Sequence, residues 1–326
     1  MNKIRAGIVG YGNIGRGVEK AIWQSPDIEL AAVLTRRAPE ELSIETPTAR
    51  KFHVDDAPAL KGKVDVMILC GGSATDLPVQ GPEFAKYFNT VDSYDTHAKI
   101  PEYFKAMNKA SQAAGLVSVI SAGWDPGLFS MNRVLAQAIL PQGSVCTFWG
   151  KGVSQGHSDA IRRVDGVEAA TQYTIPIDAA IEKARRGESD ALTTRGKHIR
   201  ECFVVTKEGA DKAEIENNIK TMPNYFADYD TIVHFINADE FAANHTGMAH
   251  GGFVIHSGET SGNRHTIEFS LELDHNAEFT ASVLVAFARA ACRYHREGRS
   301  GALTPLDIPL AYLSLKSDED LRRELL

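Results

Sequence analysis

A glycine-rich motif near the N-terminus is the first part of this sequence that could do chemistry. The residues Gly10-Tyr11-Gly12-Asn13-Ile14-Gly15 match the pattern G-x-G-x-x-G and lie between a strand-like run and a helical pattern. In that setting Gly10 permits a tight turn, Gly12 lets backbone N–H groups approach a pyrophosphate, and Gly15 lets the helix pack closely on the strand. The motif predicts a dinucleotide site at a helix N-terminus. The alternative is a glycine-rich turn that binds nothing.

The end of the next strand predicts which dinucleotide is bound. NAD sites usually carry Asp or Glu there, to bind the ribose 2′-hydroxyl. This chain has Leu34-Thr35-Arg36-Arg37 instead. Two arginines and a hydroxyl suit a 2′-phosphate, so the sequence favours NADP, with a solvated basic turn as the alternative.

Further loops follow later strands of the same predicted sheet. Cys70-Gly71-Gly72-Ser73-Ala74-Thr75 is either a second cofactor loop or an ordinary strand-to-helix turn. We also expect Asp92, Ser93 and Tyr94 among the cofactor-binding residues. Asp92 and Asp95 could equally serve as turn acceptors.

Other polar clusters stand beside tryptophan and glycine. Asp125 follows Trp124 and precedes Pro126, so it could bind a ligand, cap a helix that begins at Pro126, or do both. Trp124 and Trp149 are core residues by default. Arg200 lies near a strand start, where a solvated arginine is the default. His245 and His250 are five apart, the wrong spacing for a two-histidine helical metal site, so we expect no metal.

The elements that position these residues alternate in type through the first third of the chain. Runs at 4–9, 28–34, 64–69 and 116–120 are typical of buried strands, and helical patterns cover 13–24 and 100–114. This alternation predicts an α/β fold, with a Rossmann-type doubly wound parallel sheet at the N-terminus. Polar alternation after Gly123, clearest at 264–273, predicts a C-terminal α+β domain with an open mixed or antiparallel sheet. A helix is expected at 279–295. We predict a dinucleotide-binding domain over 1–121, a substrate domain over 122–300, and a tail over 301–326 that packs back on the first domain.

The composition of the 326 residues excludes several classes of protein. With 43% hydrophobic and 24% charged residues, the chain is neither disordered nor short of core material. A net charge of −7 argues against a nucleic-acid-binding protein, and no apolar run is long enough for a membrane helix. No signal-peptide core follows Met1. The four cysteines form no close pair, which favours a reducing cytoplasm over a disulfide or zinc framework.

The whole set of motifs resembles the meso-diaminopimelate D-dehydrogenase family. The resemblance runs from Ile4 to about Leu313. It is carried by the glycine motif, the Arg36-Arg37 pair, and these segments: Gly72-Ser73-Ala74-Thr75-Asp76, Val91-Asp92, Tyr94-Asp95, Gly123-Trp124-Asp125-Pro126-Gly127, Ser154-Gln155-Gly156-His157-Ser158-Asp159, Glu182-Lys183-Ala184-Arg185-Arg186-Gly187-Glu188, His245-Thr246-Gly247-Met248 and His250-Gly251-Gly252.

The resemblance implies a reaction and a homodimer with a C-terminal substrate-binding and dimerisation domain. The reaction is the NADP-dependent oxidative deamination of the D-centre of meso-2,6-diaminopimelate, which gives L-2-amino-6-oxopimelate, NADPH and ammonium. The reverse direction would serve lysine and cell-wall synthesis.

The same resemblance implies the roles of individual residues. Asp95 and Asp125 would lie near the D-centre ammonium, and one of them, or a water between them, would act as the base. Trp124 and Trp149 would pack on the substrate chain. The D-centre carboxylate would be met by Gln155 and Gly156. At the other end of the substrate, the resemblance implies a carboxylate site of Thr174, Arg200 and His250, with Asn276 near the L-centre amino group.

Two other functions remain open from the sequence. One is another NADP-dependent amino-acid or semialdehyde dehydrogenase, such as a homoserine-type enzyme, which would share the glycine motif. The other is a non-catalytic NADP-binding sensor. The first does not predict the Trp124-Asp125 and Gln155-Gly156 segments together. The second would not need the glycine- and Asp-rich loops of a zwitterion-binding site.

Overall fold

The structure is a computed structural model that describes residues 3–326. In chain order its strands are β1 (Ile4–Val9), β2 (Ile28–Thr35), β3 (Arg50–His53), β4 (Val66–Leu69), β5 (Asn89–Asp92), β6 (Val117–Val119), β7 (Ser144–Trp149), β8 (Gly152–Val153), β9 (Val167–Pro176), β10 (His198–Thr206), β11 (Asp230–Phe235), β12 (His250–Thr260), β13 (Asn263–Leu273) and β14 (Gly301–Leu303). The helices are α1 (Asn13–Trp23), α2 (Leu77–Phe84), α3 (Ile100–Ala114), α4 (Leu128–Ile139), α5 (Gln155–Arg162), α6 (Asp178–Arg185), α7 (Thr194–Lys197), α8 (Lys212–Lys220), α9 (Ala238–Asn244), α10 (Asn276–Arg296), α11 (Leu310–Leu313) and α12 (Asp318–Leu325).

The first unit is built on a parallel sheet. Seven strands lie in the order β14-β6-β5-β4-β1-β2-β3, and each neighbouring pair is parallel. The central strands are apolar because helices cover both faces of such a sheet, and every residue of β4 is buried. The carboxyl ends of these strands share one edge, where open α/β sheets bind their ligands. The predicted Rossmann-type sheet is confirmed.

The second unit contains two smaller sheets. One has the order β11-β10-β9-β8 and is mixed, since β10 pairs in parallel with β11 and antiparallel with β9. The other has the order β13-β12-β7 and is antiparallel. These sheets match the predicted α+β class.

The chain divides at places other than the predicted boundaries. Residues 3–131 and residues 277–326 form the first unit, and residues 132–276 form the second. Helix α10 therefore belongs to the first unit, although the sequence pattern assigns it to the second domain. The physical reason is its packing, because Leu284, Phe287 and Ala291 lie in one apolar cluster with Ile8 and Val66 of the parallel sheet.

The end of the chain also belongs to the first unit. Strand β14 pairs in parallel with β6 at the edge of the large sheet. Arg289 of α10 is buried and binds Asp27, with its Nη2 donating to Oδ1 at 2.9 Å. The same guanidinium donates through Nη1 to the carbonyl of Leu313, so α10 ties the last part of the chain to the sheet.

Candidate active site

The glycine motif forms the turn between β1 and α1. Gly10 has a φ of +88°, the left-handed region that favours glycine. A Cβ on Gly15 would lie 2.2 Å from the carbonyl oxygen of Gly10, so helix and strand approach too closely for any side chain there. A Cβ on Gly12 would meet no described atom within 4 Å. The turn thus leaves open space in front of the α1 N-terminus, which fits a pyrophosphate.

Tyr11 contributes only its backbone to that turn. Its side chain is buried, and its hydroxyl donates to the carboxylate of Glu19 on α1. Burial and this hydrogen bond raise the pKa of Tyr11. Glu19 also accepts the backbone N–H groups of Glu45 at 3.0 Å and Thr46 at 2.6 Å. Glu19 therefore fixes the inner side of the glycine loop and leaves its outer side to solvent.

The tip of β2 presents two exposed arginines. Thr35 is buried, and its Oγ1 accepts the backbone N–H of Arg37 at 3.1 Å, which fixes the turn that presents both guanidinium groups. Arg36 is 67% exposed along its side chain, and its Nη1 donates to Asp76 Oδ1 at 2.9 Å. The predicted cation pair is therefore present at the sheet edge, with Arg36 already bound to a carboxylate.

The loop after β4 is tied to the loop after β5. Cys70 is half-buried and burial raises the pKa of its thiol. In the following residues, Gly71-Gly72-Ser73-Ala74-Thr75, Ser73 Oγ accepts the backbone N–H of Asp95 at 2.8 Å. Asp95 itself is exposed. These contacts bring two of the predicted segments together at the carboxyl edge.

The carboxylate of Asp92 has a structural role inside the fold. It is fully buried at the end of β5 and accepts three hydrogen bonds, from the Tyr94 N–H at 3.0 Å, the Tyr103 hydroxyl at 2.8 Å and the Ser121 N–H at 3.2 Å. Burial raises its pKa to about 6. Tyr94 is also buried and stacks on Tyr103 with 4.1 Å between ring centroids. Of the predicted Asp92-Ser93-Tyr94 segment, only Ser93 keeps a partly exposed side chain.

The segment after β6 makes a tight turn before α4. The Gly123 N–H donates to the Pro126 carbonyl at 2.9 Å, and the Leu128 N–H donates to the Gly123 carbonyl at 3.1 Å. Because α4 begins only at Leu128, the alternative in which Asp125 caps a helix that begins at Pro126 is wrong. Trp124 is buried and meets Phe129 edge-on at 5.2 Å.

In the second unit a buried arginine lies on the inner face of the mixed sheet. Arg200 of β10 is 7% exposed, and its Nη1 donates to Thr174 Oγ1 on the paired strand β9. Its guanidinium lies 3.9 Å from the centroid of the Tyr229 ring. Among residues 3–326 no carboxylate forms an ion pair with it, and its Nε has no hydrogen-bond partner. Such a cation is costly to bury unless an anion completes its site.

Three histidines near Arg200 are held neutral. Burial, followed by the charge of Arg200, lowers the pKa of His157 to about 4 and that of His198 to about 3. The pKa of His250 is also lowered, mainly by burial. The backbone N–H of Trp149 donates to His198 Nε2 at 2.9 Å, and the Trp149 and His198 rings stack with 5.6 Å between their centroids. Arg200 is thus the charged group, and the three histidines beside it are neutral.

The remaining predicted residues of the second unit, and Asn276 at its boundary, lie near chain turns. Gln155 and Gly156 open α5 and are exposed, and a Cβ on Gly156 would meet no described atom within 4 Å. Asn276 begins α10, and its backbone N–H donates to the Met248 carbonyl at 2.8 Å.

Sequence reasoning missed several polar residues that the structure adds. Asp76 binds Arg36, and Tyr229 lies against Arg200. Gln172 is fully buried with its Nε2 3.5 Å from Thr174 Oγ1 and its Oε1 unpartnered, and Thr231 Oγ1 is unpartnered as well, among the described residues. Gln172 had a signal, because it shares its strand face with Thr174 two residues on. Tyr229 lies in a loop, and no pattern in the sequence pointed to it.

Comparison with known proteins assigns the family. The model of the diaminopimelic acid dehydrogenase C-terminal domain matches residues 123–275. The meso-diaminopimelate D-dehydrogenase of Ureibacillus thermosphaericus is 62% identical over 327 residues, covering 100% of both chains. The chain belongs to the meso-diaminopimelate D-dehydrogenase family. The resemblance drawn from the motifs is confirmed, and the homoserine-type alternative is not the family that matches.

Solved structures of meso-diaminopimelate D-dehydrogenases and their engineered relatives share the whole fold. The DAP dehydrogenase of C. glutamicum in complex with DAP has a TM-score of 0.93 at 49% identity, covering 100% of both chains. An engineered D-amino acid dehydrogenase bound to NADP+ has a TM-score of 0.88 at 48% identity, again over 100% of both chains. Within residues 3–326, no helix has the length and apolar character needed to cross a membrane.

Proposed function

We propose that this chain catalyses the reversible, NADP-dependent oxidative deamination of the D-centre of meso-2,6-diaminopimelate. The products are L-2-amino-6-oxopimelate, NADPH and ammonium. Family membership supports this reaction, and the assignment is carried by the buried guanidinium of Arg200, whose Nε has no hydrogen-bond partner among the described residues. A D-amino acid with one carboxylate would not need a second anion site of this kind.

The L-centre carboxylate is the anion that Arg200 is proposed to bind. Thr174 Oγ1 already accepts a hydrogen bond from Arg200, so its own hydrogen is free to be donated to the ligand. Burial lowers the pKa of His250, and its neutral ring is proposed to complete the carboxylate site. Asn276 is proposed to meet the L-centre amino group. Charge-assisted hydrogen bonds of this kind fix one end of a nearly symmetric substrate.

The reacting end of the substrate is proposed to use a different set of partners. Asp95 and Asp125 take the D-centre ammonium, and one of them receives a proton so that the amine is neutral when hydride leaves. Gln155 and Gly156 take the D-centre carboxylate, while Trp124 and Trp149 pack on the carbon chain. Water then adds to the imine carbon, and the carbon–nitrogen bond breaks to release ammonium.

The residues of the first unit fit NADP. The open space at Gly12 fits a pyrophosphate, and the tip of β2 carries Arg36 and Arg37 where an NAD site has a carboxylate. When bound, NADP+ accepts the hydride at nicotinamide C4. We propose that the backbone of residues 10–15 holds the pyrophosphate and that Thr35, Arg36 and Arg37 hold the 2′-phosphate. The loop at 70–75 and the segment at 92–94 are proposed to complete the cofactor site, with Ser93 as the segment's one partly exposed side chain and the buried Asp92 and Tyr94 as its internal support.

We further propose that the protein works as a homodimer in the cytoplasm. The four cysteines are free thiols, as expected in a reducing compartment. Helix α4 exposes two leucine-sized side chains on one face, Leu135 at 57% and Ile139 at 59%, which favours a protein partner. The family resemblance makes a second copy the partner proposed.

Replacement of Arg200 tests the substrate assignment. We expect Arg200→Met to raise KM for meso-diaminopimelate by about 10- to 100-fold, because a charged hydrogen-bond donor to the substrate is lost. KM for NADP+ should stay unchanged in initial-rate assays. The control is Arg186→Met, which removes an exposed arginine that pairs with Glu188. Unchanged kinetics of the Arg200 variant would remove it from the substrate site.

A further inference from the structure

An ion pair joins two loops that flank the glycine turn. Arg36 Nη1 donates to Asp76 Oδ1 at 2.9 Å, and Nη2 lies 3.4 Å from Oδ2. Arg36 follows β2 and Asp76 follows β4, and β1 lies between these two strands in the sheet. The pair therefore joins the loops on either side of the glycine turn, where the dinucleotide is proposed to bind.

The two partners differ in how firmly they are held. The Asp76 side chain is 17% exposed, and its Oδ2 accepts the Gly72 N–H at 2.9 Å. Asp76 also stands directly before the first residue of α2, where a helix N-terminus favours a negative charge. The Arg36 side chain is 67% exposed, and its long aliphatic chain has several rotatable bonds. If the pair separates, the arginine moves and the carboxylate keeps its other support.

We propose that Asp76 competes with the cofactor 2′-phosphate for Arg36. In the cofactor-free chain the Asp76 carboxylate occupies the guanidinium, and the 2′-phosphate takes its place when NADP binds. This inference rests on the proposed assignment of NADP and adds a residue that sets how strongly the 2′-phosphate is recognised. A cofactor without that phosphate leaves the Arg36–Asp76 pair intact.

The competition lowers the affinity for NADP for two reasons. The exchange breaks an existing ion pair, so only the fraction of molecules with a free Arg36 is ready to bind. The Asp76 charge also stays beside the guanidinium and repels a dianionic phosphate bound there. Both effects vanish when the charge at residue 76 is removed, provided that the acceptor for Gly72 is kept.

Asp76→Asn is the sharpest variant, because the amide oxygen can still accept the Gly72 N–H. Binding to the full chain is measured by fluorescence titration with NADPH and with NADH, at low and at high salt. We expect the Kd for NADPH to fall about three- to tenfold at low salt, less at high salt, and the Kd for NADH to stay unchanged. Adenosine 2′,5′-bisphosphate and AMP repeat the comparison without nicotinamide.

Three further variants control the experiment. Asp76→Ser also removes the charge and keeps an acceptor, so it replaces the asparagine variant should that one fail to fold. Glu83→Gln removes a charge from the exposed ion pair between Glu83 of α2 and Lys86 just after it, and should change neither Kd. Arg36→Ala should weaken NADPH binding and abolish the effect of Asp76→Asn.

The outcomes separate the competition from the cofactor assignment. A wild-type chain that prefers NADPH, with no tighter binding in the Asp76 variants, overturns the competition alone. A rise in the Kd for NADPH shows that Asp76 positions Arg36 for the phosphate and also overturns it. A wild-type chain that binds NADH as tightly as NADPH overturns the 2′-phosphate assignment, and the competition with it.

Discussion

At the residue scale, the buried side chains of Asp92 and Arg200 differ in the hydrogen-bond partners that the fold gives them. Asp92 is surrounded by three internal donors, so its hydrogen bonds are made within the fold. Arg200 has a hydroxyl, an aromatic face and an unpartnered Nε among the described residues. The fold itself satisfies Asp92, whereas Arg200 is the group for which we propose a bound anion.

The burial of Asp92 leads to a prediction about how the free energy of unfolding depends on pH. Burial raises the pKa of Asp92 from 3.8 to about 6, so the folded state favours the protonated acid. Its contribution to stability is full below the unfolded pKa and is lost as pH rises through about 6. Asp92→Asn removes this titration, and its amide can still pair with the Tyr94 N–H and the Tyr103 hydroxyl. The free energy of unfolding of the variant, relative to wild type, should therefore rise by about 1.5 kcal/mol between about pH 5 and about pH 7.5.

Urea unfolding of both chains at the two pH values measures this difference. Ser73→Ala offers a control, because that hydroxyl titrates nowhere in this range. A difference between Asp92→Asn and wild type that does not change with pH would show that Asp92 stays ionised in the folded chain.

At this scale the sequence predicted which residues follow each strand, but not where their side chains point. The alternative of Asp92 as a turn acceptor is confirmed, since its Oδ1 accepts the N–H two residues on. Tyr11 and Tyr94 turn inward, because each finds a buried partner that lies elsewhere in the chain. Such partners depend on packing, which spacing along the sequence does not contain.

At the element scale, a side chain added at Gly15 should lower stability, whereas one added at Gly12 should lower cofactor affinity. Gly15→Ala puts a Cβ 2.2 Å from a carbonyl oxygen of the preceding turn, so α1 must shift from β1. Overpacking of this kind costs about 1–3 kcal/mol of stability. Gly12→Ala should leave stability nearly unchanged, since its φ of −89° suits any residue and its Cβ faces open space.

Cofactor binding then separates the two variants. Gly12→Ala should weaken NADPH binding by at least about tenfold, because its methyl group enters the space assigned to the pyrophosphate. Thermal unfolding and NADPH titration of each variant measure the two effects. Tight NADPH binding by a well-folded Gly12→Ala chain would contradict the assignment of that space.

The alternation of strands and helices made the first unit predictable, and α3 occupies the expected residues 100–114. Short edge strands such as β3 and β14 carry too few residues for a recognisable pattern. Helix α10 was expected with one apolar face, yet consecutive residues from Val283 to Val285 and from Phe287 to Cys292 are buried. A helix buried on all sides does not reveal in its sequence which unit it joins.

At the scale of the whole molecule, the exposed apolar face of α4 makes a prediction about assembly. Leu135→Glu places a charge on that face and should convert the proposed dimer into monomers. Light scattering after size exclusion measures the mass. Leu325→Glu in α12 is the matched control, because Leu325 is 71% exposed in the first unit. An unchanged mass for the Leu135 variant would move the interface elsewhere.

The proposed substrate has two amino-acid ends of opposite configuration, and this asymmetry can be tested directly. The most direct measurement is the formation of NADPH from NADP+ with the meso, LL and DD isomers of diaminopimelate, each tested separately, with NAD+ in parallel. We expect a rate confined largely to the meso isomer with NADP+, since the LL isomer lacks the reacting D-centre and the DD isomer presents the wrong centre to Arg200. Equal rates with all isomers, or no rate with any isomer despite tight binding of NADPH, would contradict it.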